Sequence, residues 1–173
     1  MKIKEFAILS LFIALTAVAT MIVRIPIPQT TGYMNLGDTM VLLSGTFFGP
    51  IPGFIAGGVG SALADLIGGY PQWALWTLVI KGIEATLVGW LVILMRLKKK
   101  QPSILVALCY IFAVAWMVLG YFIAETIMYD QKAALAELPM NLLQAGGSVL
   151  LASLLLPVFN RIIKDVRSSP DSD

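Results

Sequence analysis

Histidine is absent from this 173-residue chain, cysteine occurs once, and only 13% of residues are charged. Without histidine, imidazole acid–base catalysis, most zinc sites and haem ligation are excluded. The lone Cys109 lies within an apolar run and can form no internal disulfide, so it reads as a small packing residue. No GxxxxGK[ST] phosphate loop occurs, so any ATP-driven work must come from another chain. No nucleophile–base pair or metal-ligand cluster stands out, which sets a membrane enzyme aside. What remains is 58% apolar with a mean hydropathy of +0.87. Soluble domains carry about 25% charged residues, so the composition describes an integral membrane protein with almost no extramembrane mass.

Six apolar segments are expected as spans, at residues 3–23, 35–48, 53–67, 72–95, 103–126 and 139–163. The first imitates a signal peptide, with Lys2, Lys4 and an Ala17-Val18-Ala19 match. Its apolar stretch is nevertheless long enough to span, and small residues are common in membrane helices. Segments two and three fall below the ~20 residues that cross the hydrocarbon. They either use flanking residues or form a re-entrant hairpin. The whole chain, 1–173, reads as one membrane domain, with 164–173 as a flexible cytoplasmic tail.

Lys2 and Lys4, the run Arg96, Lys98, Lys99 and Lys100, and the tail residues Arg161, Lys164 and Arg167 fall on one side of a six-span arrangement. Arg24 and Lys132 are the only basic residues opposite. The positive-inside rule then places both termini in the cytoplasm. The basic run is a topology determinant and implies no nucleic-acid partner. Connections 24–34, 68–71 and 127–138 are outside.

On that topology Asp38, Asp65, Lys81, Glu84 and Glu125 interrupt the apolar segments in the outer half of the bilayer. A charge there costs several kcal/mol unless paired or hydrated, which marks it as functional by default. Trp73, Thr77, Lys81 and Glu84 share one helical face, with Lys81 ~12 Å and Glu84 ~17 Å below Trp73. Tyr121 and Glu125 stack on span five, and Asn141, Gln144 and Ser148 on span six. Asn35 and Asp38 open span two. Aromatics, a cation, carboxylates and amides at one depth suit a small, polar, ring-bearing solute. Each member also has a purely structural use. Lys81 can pair with Asp65, Asp38 or Glu84; the amides can join helices; Asp38 can cap one; Tyr70, Trp73 and Trp76 can anchor at the interface. Gly53, Gly57, Ser61 and Ala56, Gly60, Ala64, Gly68 form small-residue stripes expected to pack inside. Ser10 and Ala14 form a similar pair on the first span that could face another protein.

The segments Tyr33-Met34-Asn35-Leu36-Gly37-Asp38, Gly49-Pro50, Gly57 to Leu66, and Trp76 to Glu84 resemble the substrate-binding S components of energy-coupling factor (ECF) transporters. The similarity covers nearly the whole chain and is nearest the hydroxymethylpyrimidine/vitamin B6 subgroup. It implies an all-α, compact six-transmembrane-helix bundle whose vitamin pocket lies near the outer face, gated by loops 24–34 and 68–73. It also implies docking on a membrane T component that couples to two cytosolic ATPases, with toppling to release substrate inward. The family's Ala-x-x-x-Ala docking motif reads Ser10-x-x-x-Ala14 here, and the pocket histidine of thiamine-specific members is missing.

The expected protein is therefore a vitamin-capture subunit in the bacterial plasma membrane, not an enzyme, with no cofactor of its own and ATP used by partners. Hydroxymethylpyrimidine or pyridoxine is the first choice of ligand. Expected binding residues are Tyr33, Asn35, Asp38, Trp73, Trp76, Thr77, Lys81, Glu84, Tyr121, Glu125, Asn141 and Gln144, with Ser10 and Ala14 for docking. Two other readings remain. One is an autonomous ion- or proton-coupled carrier using Lys81, Glu84 and Asp65 as a relay, although its inner half would lack charges. The other is an assembly protein whose charges only pair internally.

Overall fold

The computed structural model describes residues 3–95 and 103–168, so Lys2, the basic run at 96–100 and the end of the tail lie outside the described residues. Helix α1 (Ile3–Ile22) is apolar on nearly all sides. Its buried Thr16 and Thr20 hydroxyls donate within the helix to the carbonyls of Phe12 and Thr16, each at 2.8 Å, so neither needs an outside partner.

Where a plain loop was expected, a two-stranded antiparallel hairpin follows, β1 (Arg24–Ile27) and β2 (Gly32–Asn35). Arg24 pairs with Asn35, and Ile27 with Gly32. Two prolines obscured it in the sequence. Pro26 occupies an edge position, where its missing N–H breaks no further ladder. Asn35 thus ends a strand rather than opening a helix, and α2 runs from Asp38 to Phe48.

Gly49 (φ 78°) and Pro50 stop α2. The chain then forms a helical rod, α3 (Pro50–Phe54), a π-helical turn (Ile55–Val59) and α4 (Gly60–Gly68). Downstream of the π turn, Ser61 and Asp65 lie one helical turn apart and both are buried. Gly69 adopts the left-handed conformation (φ 86°), and Tyr70 N–H closes on Asp65 C=O at 2.8 Å. This cap satisfies an end carbonyl, and Pro71 then starts α5 (Pro71–Leu94), where no N–H is needed.

Helix α6 covers Ser103–Met128, and α7 covers Gln131–Ser168. Asp130 caps α7, its Oδ1 accepting from Ala133 N–H at 2.8 Å. The sequence reading started this helix at Pro139. The helix instead runs through both Pro139 and Pro157, each of which removes only one backbone donor. Its continuation to Ser168 carries regular helix past the boundary at 164 expected for the tail.

Among the described residues, five segments are long and apolar enough to cross a bilayer: Ile3–Ile22, Pro50–Gly68, Pro71–Leu94, Ile104–Met128 and Gln131–Ser168. At 11 residues α2 is shorter than a span, and its neighbours enclose it, with Val41, Leu42 and Leu43 fully buried. Close approach to α5 makes this possible. A Cβ on Gly45 would lie 2.2 Å from the Ala85 carbonyl oxygen, so only glycine fits there. Leu75, Trp90, Phe112 and Leu150 are exposed on the outer surface, as expected of groups that meet lipid. At the end away from the hairpin, the Phe12 ring packs edge-on against Phe48 at 4.9 Å and Phe159 at 5.5 Å.

Candidate functional site

At the hairpin end, residues of β2 and of helices α1, α4, α5, α6 and α7 meet around one cavity. Its wall includes Thr20 of α1, Gly32, Tyr33 and Asn35 of β2, and Ser61 and Asp65 of α4. Trp73, Thr77 and Lys81 of α5, Tyr121 of α6, and Glu137, Asn141 and Gln144 of α7 complete it. The space these residues bound, its opening to solvent included, is about 440 Å³. Its narrow interior has room for about two water molecules. A ring-sized solute enters only if part of the wall moves.

The floor is a charged network. Lys81 Nζ pairs with Asp38 Oδ1, and Gln144 Nε2 donates to Asp38 Oδ2 at 2.7 Å. The Gln144 side-chain oxygen in turn accepts from the Asn35 backbone N–H at 2.7 Å. Four elements, β2, α2, α5 and α7, are thereby joined through one amide and one ion pair. Among the three partners open to Lys81 in the sequence, packing selects Asp38. Glu84 Oε2 stands 3.8 Å away, and neither of its oxygens has a hydrogen-bond partner. Beneath this layer Leu42, Leu43, Val88, Tyr110 and Met117 are fully buried and apolar apart from one hydroxyl. The Tyr110 hydroxyl is satisfied by Thr46 at 2.9 Å.

The side walls are aromatic. Trp73 lies against Tyr121 (centroids 5.9 Å apart) and stacks on Tyr129 at 6.1 Å. The Tyr121 hydroxyl meets Thr77 at 3.1 Å, and Lys81 Nζ lies 5.0 Å from the Tyr121 ring centroid. Tyr33 packs against Tyr70 at 4.5 Å, with the Arg24 guanidinium 5.1 Å from the Tyr33 ring centroid.

The roof is the hairpin, and side chains fasten it. Tyr33 donates its hydroxyl to Asp65 Oδ1 at 2.5 Å, and Thr30 Oγ1 donates to Glu137 Oε2. Thr31 and Tyr129 hydroxyls meet at 2.7 Å. Arg24 donates to the Gly68 carbonyl at 3.3 Å and the Ala64 carbonyl at 3.4 Å. Burial, reinforced by the Asp65 carboxylate, pushes the Tyr33 phenol above its ordinary pKa and keeps it a hydrogen-bond donor.

Of the residues singled out in the sequence, Tyr33, Asn35, Trp73, Thr77, Lys81, Tyr121, Asn141 and Gln144 line the cavity. Four stand behind its wall. Asp38 holds Lys81, Glu84 lies deeper, and Glu125 accepts from Asn141 Nδ2 at 2.9 Å. Trp76 packs half-buried against the core. Ser10 and Ala14 are on the exposed face of α1, one turn apart.

Thr20, Gly32, Ser61, Asp65 and Glu137 also line the cavity although the sequence did not mark them as binding residues. Glu137 was hidden because Pro139 suggested a loop before it. Its spacing from Asn141 (i+4) and Gln144 (i+7) was the available signal. Three buried wall atoms have no partner: Ser61 Oγ, Asp65 Oδ2 and Trp73 Nε1. Among the described residues no cluster of three metal-ligating side chains occurs.

Comparison with known proteins agrees with this architecture. Residues 1–161 match the family described as ECF-type riboflavin transporter, S component. An uncharacterized protein of Pyrococcus woesei is 45% identical over 134 residues, covering 78% of this chain and 86% of the relative. The thiamine precursor transporter HmpT of Lactococcus lactis subsp. cremoris is 31% identical over 161 residues, covering 92% of this chain and 90% of the relative. A multi-pass membrane protein of transporter type and not an enzyme, the chain belongs to the S-component family of ECF-type transporters.

Proposed function

We propose that this protein is the substrate-capture subunit of an ATP-driven ECF importer and binds a small water-soluble vitamin or vitamin precursor in the cavity beneath the hairpin. One observation carries the reading. An indole N–H, a hydroxyl and a carboxylate oxygen, all buried and unpartnered, line the same aromatic-walled cavity. Buried polar atoms left unpaired cost about 1–3 kcal/mol each, and a bound solute offering both donors and acceptors recovers that cost. A pyrimidine or pyridine such as hydroxymethylpyrimidine or pyridoxine meets the requirement. Its ring packs against the Trp73 and Tyr121 rings, a ring nitrogen or hydroxyl accepts from Trp73 Nε1, and a hydroxymethyl or amino group donates to Asp65. The similarity to a thiamine precursor transporter supports the same class.

In this reading α2 crosses with its flanking residues to make six spans. Both termini are cytoplasmic, a reading that the distribution of basic residues supports, and the hairpin faces outside. The hairpin lifts to admit the solute. Ser10 and Ala14 present a flat face to a membrane T component, which with two ATPases supplies the energy. Around Leu42, Leu43, Val88 and Met117, below Glu84, the buried side chains are uncharged, which disfavours an autonomous coupled carrier.

Protein purified from cells growing on rich medium is expected to carry its ligand, identifiable by mass spectrometry after denaturation. Titration with hydroxymethylpyrimidine and pyridoxine should quench or shift tryptophan fluorescence. Trp73→Phe keeps the ring but deletes the donor, and should weaken binding about tenfold. Failure of every vitamin in a thermal-shift panel to bind would overturn the proposal.

A further inference from the structure

Acidic side chains outnumber basic ones in and behind the cavity wall. Buried among the described residues are five carboxylates, Asp38, Asp65, Glu84, Glu125 and Glu137, against a single buried cation, Lys81. That lysine is already committed to Asp38, with Glu84 Oε2 at 3.8 Å. Arg24 directs its two terminal nitrogens to the Gly68 and Ala64 carbonyls, lies over the Tyr33 and Tyr70 rings, and does not line the cavity. Asp65 and Glu137 do line it, and the side chains hydrogen-bonded to them are the neutral hydroxyls of Tyr33 and Thr30.

Both act as acceptors. The Tyr33 hydroxyl donates to Asp65 at 2.5 Å, a length typical of hydroxyl–carboxylate bonds. Thr30 donates to Glu137. Asp65 Oδ2 remains unpartnered inside the wall. The two acids come from different helices, α4 and α7, and each is also a fastening point of the hairpin. A solute entering under the hairpin therefore meets acceptors on two sides and no free cation.

From this arrangement we infer that Asp65 and Glu137 are specificity-determining residues that admit neutral or cationic ring solutes bearing hydrogen-bond donors and reject anionic ones, carboxylated or phosphorylated. A carboxylate brought beside Asp65 or Glu137 finds Lys81 already paired with Asp38 and adds a further acid to a poorly hydrated space. Like-charge juxtaposition of that kind costs several kcal/mol. An amino or hydroxymethyl group at the same place instead donates to the free oxygen of Asp65. The inference rests on the vitamin-capture reading and adds the charge class of the ligand.

The test uses pairs of solutes that differ in charge but hardly in size. These are pyridoxine against 4-pyridoxate, and 4-amino-5-hydroxymethyl-2-methylpyrimidine against its 5-carboxylate. Binding to the full-length protein in lipid nanodiscs is read by tryptophan fluorescence and calorimetry. The alcohol of at least one pair should bind about a hundredfold or more tightly than its carboxylate. Glu137→Gln and Asp65→Asn preserve size and can still accept from Thr30 and Tyr33. Each should shrink that ratio to about tenfold or less, Asp65→Asn also weakening the alcohol because an amide NH2 replaces the free acceptor oxygen, and a melting temperature close to that of the unaltered protein is the check on folding.

A carboxylate that binds within about tenfold of its alcohol in the unaltered protein overturns the charge inference and leaves the capture reading standing. A ratio unchanged in both variants does the same. If neither these compounds nor any other vitamin binds, the capture reading fails and the inference falls with it.

Discussion

Replacing Lys81 by Met isolates the contribution of the buried ion pair. Lys81 is 2% exposed and Asp38 fully buried, and Asp38 retains only the Gln144 amide once the ammonium is gone. Removing one member of a buried pair leaves an uncompensated charge and costs about 3–5 kcal/mol. For a chain of this size that corresponds to a fall in melting temperature of about 6–20 °C. The molecule supplies its own reporter. Cys109 is the only cysteine and 1% exposed, so a thiol-reactive dye labels it as the fold opens. Lys81→Met/Asp38→Asn removes both charges and should recover most of the loss, because well-packed neutral replacements of buried pairs are often close to neutral. Asp38→Asn alone should also destabilise, since Lys81 then faces only Glu84 at 3.8 Å. A Lys81→Met protein that melts within about 2 °C of the unaltered one would refute the argument. So would a double variant less stable than either single one.

Glycine substitutions should separate by position. Gly45→Ala forces a Cβ to within 2.2 Å of the Ala85 carbonyl and should destabilise by about 1–3 kcal/mol. Gly146→Ala, in α7 with nothing within 4 Å, should stabilise by about 0.5–1 kcal/mol. Parallel thermal melts in one detergent decide between these signs, and equal shifts would refute the close approach of α2 to α5. Glu84→Gln should raise the melting temperature, because both oxygens of this fully buried carboxylate lack hydrogen-bond partners and a neutral amide costs less to bury. A fall would mean that the charge of Glu84 is needed beside Lys81.

Membrane class, helix punctuation and much of the cavity wall were legible from local pattern. Apolar run length alone implied spans. Gly49-Pro50 and Gly69-Tyr70-Pro71 break helices for reasons internal to a few residues, and the breaks stand where the sequence puts them. Trp73, Thr77 and Lys81 share a face because helical periodicity is a property of one segment, and all three line the cavity. Tertiary structure decided what no segment contains. Lys81 had three candidate carboxylates. The choice of Asp38, 43 positions away, follows from how closely α2 can approach α5, which depends on glycine backbones meeting carbonyls. The hairpin was hidden by its prolines. It is held to the helices by side chains distant in sequence, Thr30 to Glu137 across 107 positions and Tyr33 to Asp65 across 32. Glu137 itself changed from a presumed loop residue to part of the wall because α7 passes through Pro139. Local periodicity says which face a residue occupies, whereas packing alone says which partner it meets there.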